Sequence, residues 1–166
     1  FGPRKYYLIS LVIVLYALLP FFMAFEGRKP EVRELVVLAT MIALATAGRA
    51  AFFMTPSFKP IIAIVIISAI AFGAEAGFLV GSMTMLVSNF LFGQGPWTPW
   101  QMFAMGFIGF LSGILYRLRI LPTKRLQLSV YGFLVTFMIY GGIMNPAALF
   151  MSVYQFSWSG LLAIYI

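Results

Sequence analysis

The sequence predicts an all-α, polytopic integral membrane helical bundle. Three observations carry that prediction. Hydrophobic residues make up 63% of the 166-residue chain and charged residues only 9%, against about 25% charged in a soluble domain. Mean hydropathy is +1.02. Apolar stretches long enough for helices alternate with short polar links, and at about 20 residues per span there is room for about six or seven spans and no separate soluble domain.

Taken in order, Tyr6–Phe25 is a first apolar span, preceded by Arg4-Lys5 and followed by the charged link Glu26–Glu34. Its basic start resembles a signal sequence, but it is long for one and lacks a small-x-small cleavage site. Leu35–Met54 follows, then the proline-bracketed turn Thr55–Pro60. Ile61–Phe72 is short and suits a tilted or partly buried helix. Gly73–Gly77 reads as a tight turn holding Glu75, and Phe78–Phe92 leads to a loop rich in Trp, Gly and Pro. Gln101–Tyr116 runs back to the basic link Arg117–Arg125, and Leu126–Met144 ends at Asn145-Pro146. Beyond it, Tyr154–Gly160 reads as a loop and Leu161–Ile166 as the start of a helix, so one more helix is expected past Ile166.

Composition removes whole classes of chemistry. Cysteine and histidine are absent and all four acidic residues are glutamates. Disulfides, thiol nucleophiles, imidazole bases and His/Cys metal sites are excluded, as are paired aspartates for acid–base work. No catalytic residue is expected. Without a Gly-x-x-x-x-Gly-Lys-Ser/Thr run, ATP cannot bind here through a P-loop. The net charge of +7 is scattered at helix ends, which fits membrane topology and no nucleic acid.

Lys and Arg also set orientation. The Glu26–Glu34 and Arg117–Arg125 links hold seven of the eleven basic residues, which places them in the cytoplasm. The Trp loop, the proline-bracketed turn and the Asn145–Gly160 loop then face outside. Trp97 and Trp100 flank Thr98-Pro99, beside the uncharged hydrogen-bonding groups of Asn89, Gln94 and Gln101. Two readings stand: an interfacial anchor belt, or an aromatic-lined mouth for an uncharged or mixed-polarity ligand. Arg49, near the outer end of its helix, either snorkels to the interface or meets a ligand or glutamate. Asn89 either caps its helix or contacts ligand, since an unpaired amide among apolar residues costs free energy. Tyr140 lies near the same outer end, close to Asn145.

Small residues recur at close-packing intervals. Ala39, Ala43, Ala47 and Ala51 form one stripe, Gly73, Gly77 and Gly81 another, and Gly109 with Gly113 a third. Such stripes let helices approach closely in lipid.

The order of an Ala-x-x-x-Ala helix, a short second helix, a Gly/Glu turn and a helix ending at an outward Trp loop resembles a known family. Glu31–Ile166 is similar to the substrate-binding S components of energy-coupling factor (ECF) transporters, the vitamin importers of many Gram-positive bacteria. The resemblance is carried by Ala43–Phe53, Ser88–Met102 and Tyr131–Pro146. It implies a six-helix core over 31–166, with 1–30 as an extra amino-terminal helix and link, and the last core helix lying past the chain's end. It implies a plasma-membrane receptor without cofactor of its own, partnered by a membrane scaffold subunit and two cytosolic ATPases that use the ATP. Ala39, Ala43 and Ala47 would dock on the scaffold. The loops at Thr55–Lys59, Phe92–Trp100 and Asn145–Gly160 would close over a vitamin. Arg49, Asn89, Gln94, Trp97, Trp100, Gln101, Tyr140 and Asn145 are the candidate binding residues. The Phe92–Gln101 run is most similar to cobalamin-type S components, while the residue types suit riboflavin, pantothenate or a deazapurine equally.

Overall fold

The computed structural model describes residues 4–54, 60–121 and 124–152, all helical or in the turns between helices. The elements are α1 (Arg4–Gly27), α2 (Val32–Ala51), α3 (Ile61–Phe72), α4 (Ala74–Phe92), α5 (Thr98–Arg117), α6 (Arg125–Val135), a π-helical turn (Thr136–Tyr140) and α7 (Gly141–Ser152). Among the described residues, four stretches are long and apolar enough to cross a membrane: α2, α4, α5 and the continuous run Arg125–Leu149. The proline-bracketed turn at 55–59 and residues 153–166 lie outside the described residues, while 145–152 of the expected Asn145–Gly160 loop are helical.

The central pair is α4 against α5, and glycine makes it. A Cβ on Gly81 would lie 2.4 Å from the Met105 carbonyl oxygen, and one on Gly109 would lie 2.2 Å from that of Gly77. The second and third stripes therefore pack into each other, backbone against backbone, as small residues do in lipid. This corrects the expected turn at Gly73–Gly77. Only Gly73, at φ 97, breaks the helix, while Gly77 sits inside α4 as a packing surface, its missing Cβ leaving room for Ala69. Glycine in a membrane helix marks close approach more often than a turn.

Around this pair, α1 lays Val14, Leu18 and Phe25 inward at the spacing of one helix face. Its Phe21 stacks on the fully buried Phe78 at 4.1 Å between centroids and meets Phe110 edge-on at 4.9 Å. α2 buries only Leu38, Ala45 and Thr46. Its Ala39, Ala43, Ala47 and Ala51 face outward and are exposed. α3 packs Val65, Ile66 and Ala69 into the core. The hydroxyl of Tyr131 lies 2.9 Å from that of Ser112, tying α6 to α5.

The last run does not end at Asn145-Pro146 as its sequence predicts; helix continues through Pro146 to Ser152. Proline removes one donor, but a π-turn just upstream widens the ladder, with the Gly141 N–H donating to the Thr136 carbonyl. Such local adjustments make proline tolerable in membrane helices.

The poles of the bundle differ. At one, Arg28 donates to the Phe72 carbonyl at 3.2 Å and pairs with Glu75 at 3.5 Å and with Glu34, so the α1–α2 link holds α2, the end of α3 and α4 together. These groups are about a third exposed or less, and pairs of this kind contribute about 0–1 kcal/mol each. At the other pole lies a different polar cluster.

Candidate functional site

Helix α2 places Arg49 one turn from its end, opposite Ser88 and Asn89 of α4. The guanidinium turns onto α4 and meets no glutamate there, so the expected glutamate pairing does not occur. Its Nη1 donates to Ser88 Oγ and, at 2.9 Å, to Asn89 Oδ1, and Met85 Sδ lies 3.9 Å away. The cation also stands 5.2 Å from the centre of the Phe92 ring, within cation–π range.

Asn89 is 1% exposed and does not cap its helix. It is the hub of a network. Its Nδ2 donates to Thr98 Oγ1 at 3.0 Å and to Gln101 Oε1 at 2.8 Å, both on the first turns of α5. With both amide hydrogens committed and the oxygen facing Arg49, Asn89 has no donor left for a ligand. Gln101 and Tyr140 in turn lie together on the lining of one cavity. A hydrogen-bonded chain thus runs from Arg49 through Asn89 to Thr98 and Gln101, across α2, α4 and α5, with Tyr140 beside its end on the cavity wall. Each bond polarises the next in such surroundings.

Three of these groups open into a cavity of about 850 Å³ between α3 and the α6–α7 run: Arg49, Gln101 and Tyr140. Ile62, Ile66, Met105 and Phe133 are among its apolar walls. The volume falls within the roughly 300–1,000 Å³ of small-molecule sites, and mostly apolar walls with a few polar groups are the usual composition.

The remaining candidates are placed elsewhere. Gln94 is exposed; its side chain donates to the Leu86 carbonyl at 3.2 Å and accepts from Thr98 Oγ1 at 2.9 Å, bracing the loop. Trp97 is 41% exposed, with its ring folded over Gly95, where a Cβ would come within 2.4 Å of the indole. Glycine is needed there for close approach. Trp100 and Asn145 are partly buried and do not line this cavity. The Trp loop itself is shorter than it reads, because α5 begins at Thr98 with Pro99 in its first turn, where a missing N–H costs nothing.

Sequence reading missed Ser88 and Thr98, which the network needs as much as Asn89. A usable signal was present. An arginine in an apolar helix demands neutral oxygen partners when no acid is near, and Ser88-Asn89 is the adjacent polar pair in α4.

Comparison with known families agrees with this architecture. A family model described as ECF-type riboflavin transporter, S component, matches residues 29–163, beginning just after α1 ends. No curated protein and no solved structure matches the chain. With the matched segment covering most of its length, the chain belongs to the S-component family of ECF-type transporters and is a multi-pass plasma-membrane, vitamin-binding subunit of an importer, not an enzyme.

Proposed function

We propose that the vitamin is a flavin and that it is held in the cavity between α3 and α6. The observation that carries this reading is a cavity with mostly apolar walls and a cluster of polar groups from Arg49, Gln101 and Tyr140, with Arg125, Ser129 and Thr136 as its other polar lining. An isoalloxazine ring is apolar on its faces and hydrogen-bonds along one edge, so it suits apolar walls with a polar cluster at the Arg49 side. The family's description as a riboflavin transporter component supports the same choice.

Cobalamin is the second reading, favoured by the Phe92–Gln101 run. A corrinoid with its nucleotide arm is several times larger than a flavin, and the volume of about 850 Å³ suits the smaller ligand. Trp97, turned over Gly95, is also unavailable to the cavity.

As an S component, the chain works with a membrane scaffold and ATPase subunits. We place the scaffold contact on Ala39, Ala43 and Ala47, whose support is that all three are exposed on one face of α2, where close helix approach is possible. The substrate is tested by titrating riboflavin and cobalamin into the purified protein, wild type and Gln101→Ala. Saturable riboflavin binding weakened about tenfold or more by Gln101→Ala is expected, since a lost hydrogen bond that leaves partners unpaired costs about 1–3 kcal/mol. Saturable cobalamin binding without riboflavin binding would sink the flavin reading.

A further inference from the structure

The polar cluster at the Arg49 side of the cavity holds a cation and no anion. The whole sequence has four acidic side chains, Glu26, Glu31, Glu34 and Glu75. All four lie at the other pole: Glu26 in the last turn of α1, Glu31 as the residue capping α2, Glu34 in the first turn of α2 and Glu75 in the first turn of α4. Along α2, Arg49 is about 22 Å from Glu34 at about 1.5 Å per residue, and Asn89 is about 21 Å from Glu75 along α4. No acidic side chain of this sequence reaches Arg49.

Neutral partners satisfy part of the guanidinium and leave its charge uncompensated. Among the described residues, its hydrogen-bonding partners Ser88, Asn89 and Met85 are all engaged through Nη1, and the Phe92 ring carries no charge. A guanidinium has five N–H donors in a planar fork suited to bidentate oxygen recognition. Half-buried and lining the cavity, an uncompensated arginine in a membrane protein is costly, and such residues pair or mark a ligand path. Arg125 lines the cavity as well, and no acidic residue does.

We propose that the ligand supplies the missing counter-ion: the site prefers a molecule carrying an oxyanion, a phosphomonoester or a carboxylate, seated on the free edge of Arg49. Asn89 and Ser88 act as positioning residues that hold Nη1 so that the other donors face the cavity. For a flavin this means the phosphorylated form in preference to the free vitamin, and in that form the inference rests on the flavin reading above.

Two matched pairs of probes test it in detergent-purified protein: riboflavin against riboflavin 5′-phosphate, and neutral pantothenol against pantothenate. The wild type should bind the anionic member of one pair about tenfold tighter or more, as a charge-assisted bidentate contact allows. Arg49→Lys should keep the sign of that preference, and Arg49→Gln should reduce it to within about twofold. The wild-type ratio needs no variant, so a poorly folding substitution does not blur the outcome. Binding of neither flavin overturns the flavin reading alone, and the pantothenate pair then decides the counter-ion. A wild type with no anionic preference in either pair, or an Arg49→Gln that retains it, overturns the counter-ion proposal even if riboflavin binds.

Discussion

Asn89 carries more of this site than its size indicates. It is almost wholly buried, and removing it strands Arg49 on one side and Thr98 and Gln101 on the other. A buried partner left unpaired costs about 1–3 kcal/mol. Asn89→Ala should therefore lower thermal stability by several degrees in detergent and weaken ligand binding at the same time, read by melting and titration. Asn89→Asp separates the two roles. It gives Arg49 a fixed carboxylate while deleting both donors, so affinity for an anionic ligand should fall about tenfold or more while a neutral analogue loses less. Equal losses for both would show Asn89 to act through packing alone. Trp97→Ala should change affinity less than about threefold, since loss of a ring outside the cavity removes no ligand contact.

Among elements, the α4–α5 pair is where substitution is most severe. Gly109→Ala would drive a methyl to 2.2 Å from the Gly77 carbonyl oxygen. Backbone cannot yield as a side chain can, and overpacking of this kind costs about 3 kcal/mol or more; loss of monodisperse protein on size-exclusion chromatography is the expected readout. Gly142→Ala is the counter-case, with nothing within 4 Å of the new methyl. It should be neutral or stabilising by up to about 1 kcal/mol, through the entropy of the unfolded chain. The same pair shows what the sequence could convey. Helix existence was legible from apolar length, and α3 is found at the residues its sequence marks, Ile61–Phe72. The interlocking of Gly77, Gly81 and Gly109 was legible as small-residue spacing. That these stripes face each other was not, because spacing names a face and not its partner. Pro146 misled for a related reason: proline signals a helix end in water more reliably than in a bundle that can insert a π-turn.

For the molecule as a whole, coverage is uneven. The window of α4 is 56% buried and that of α5 is 50%, against 17% for α2 and 6% for Arg125–Leu149. Among the described residues the α4–α5 spine is well covered, and α2 and the Arg125–Leu149 run are covered less. The site was legible only in part for this reason. Arg49, Gln101 and Tyr140 come from three separate segments, and their meeting depends on how α2 and α6 lean on the spine. Ala43→Trp tests the exposed α2 face: uptake in cells should collapse while ligand affinity of the isolated subunit stays within about twofold, since only close approach of another helix is blocked. Loss of both together would make the stripe an internal packing surface. Orientation has its own test, helped by a chain that contains no cysteine. A cysteine at Trp97 should react with an impermeant reagent on intact cells, and one at Lys124 only after permeabilisation; the reverse pattern would invert the bundle.

The link between α3 and α4 bears on how the protein is made. At 12 residues, α3 is about 18 Å long, well short of a hydrocarbon core of about 30 Å. It is joined to α4 by the single residue Gly73, whose φ of 97 is closed to most side chains. During biosynthesis such a segment gives the insertion machinery too little to recognise as a spanning unit, whereas α3 and α4 together present a preformed hairpin. The two should therefore leave the translocon as one object. In a reporter fusion carrying α3 alone the segment should fail to stop in the membrane. Restoring α4 should rescue it, and Gly73→Val should undo that rescue by jamming the hinge before the bundle has any core to gather around.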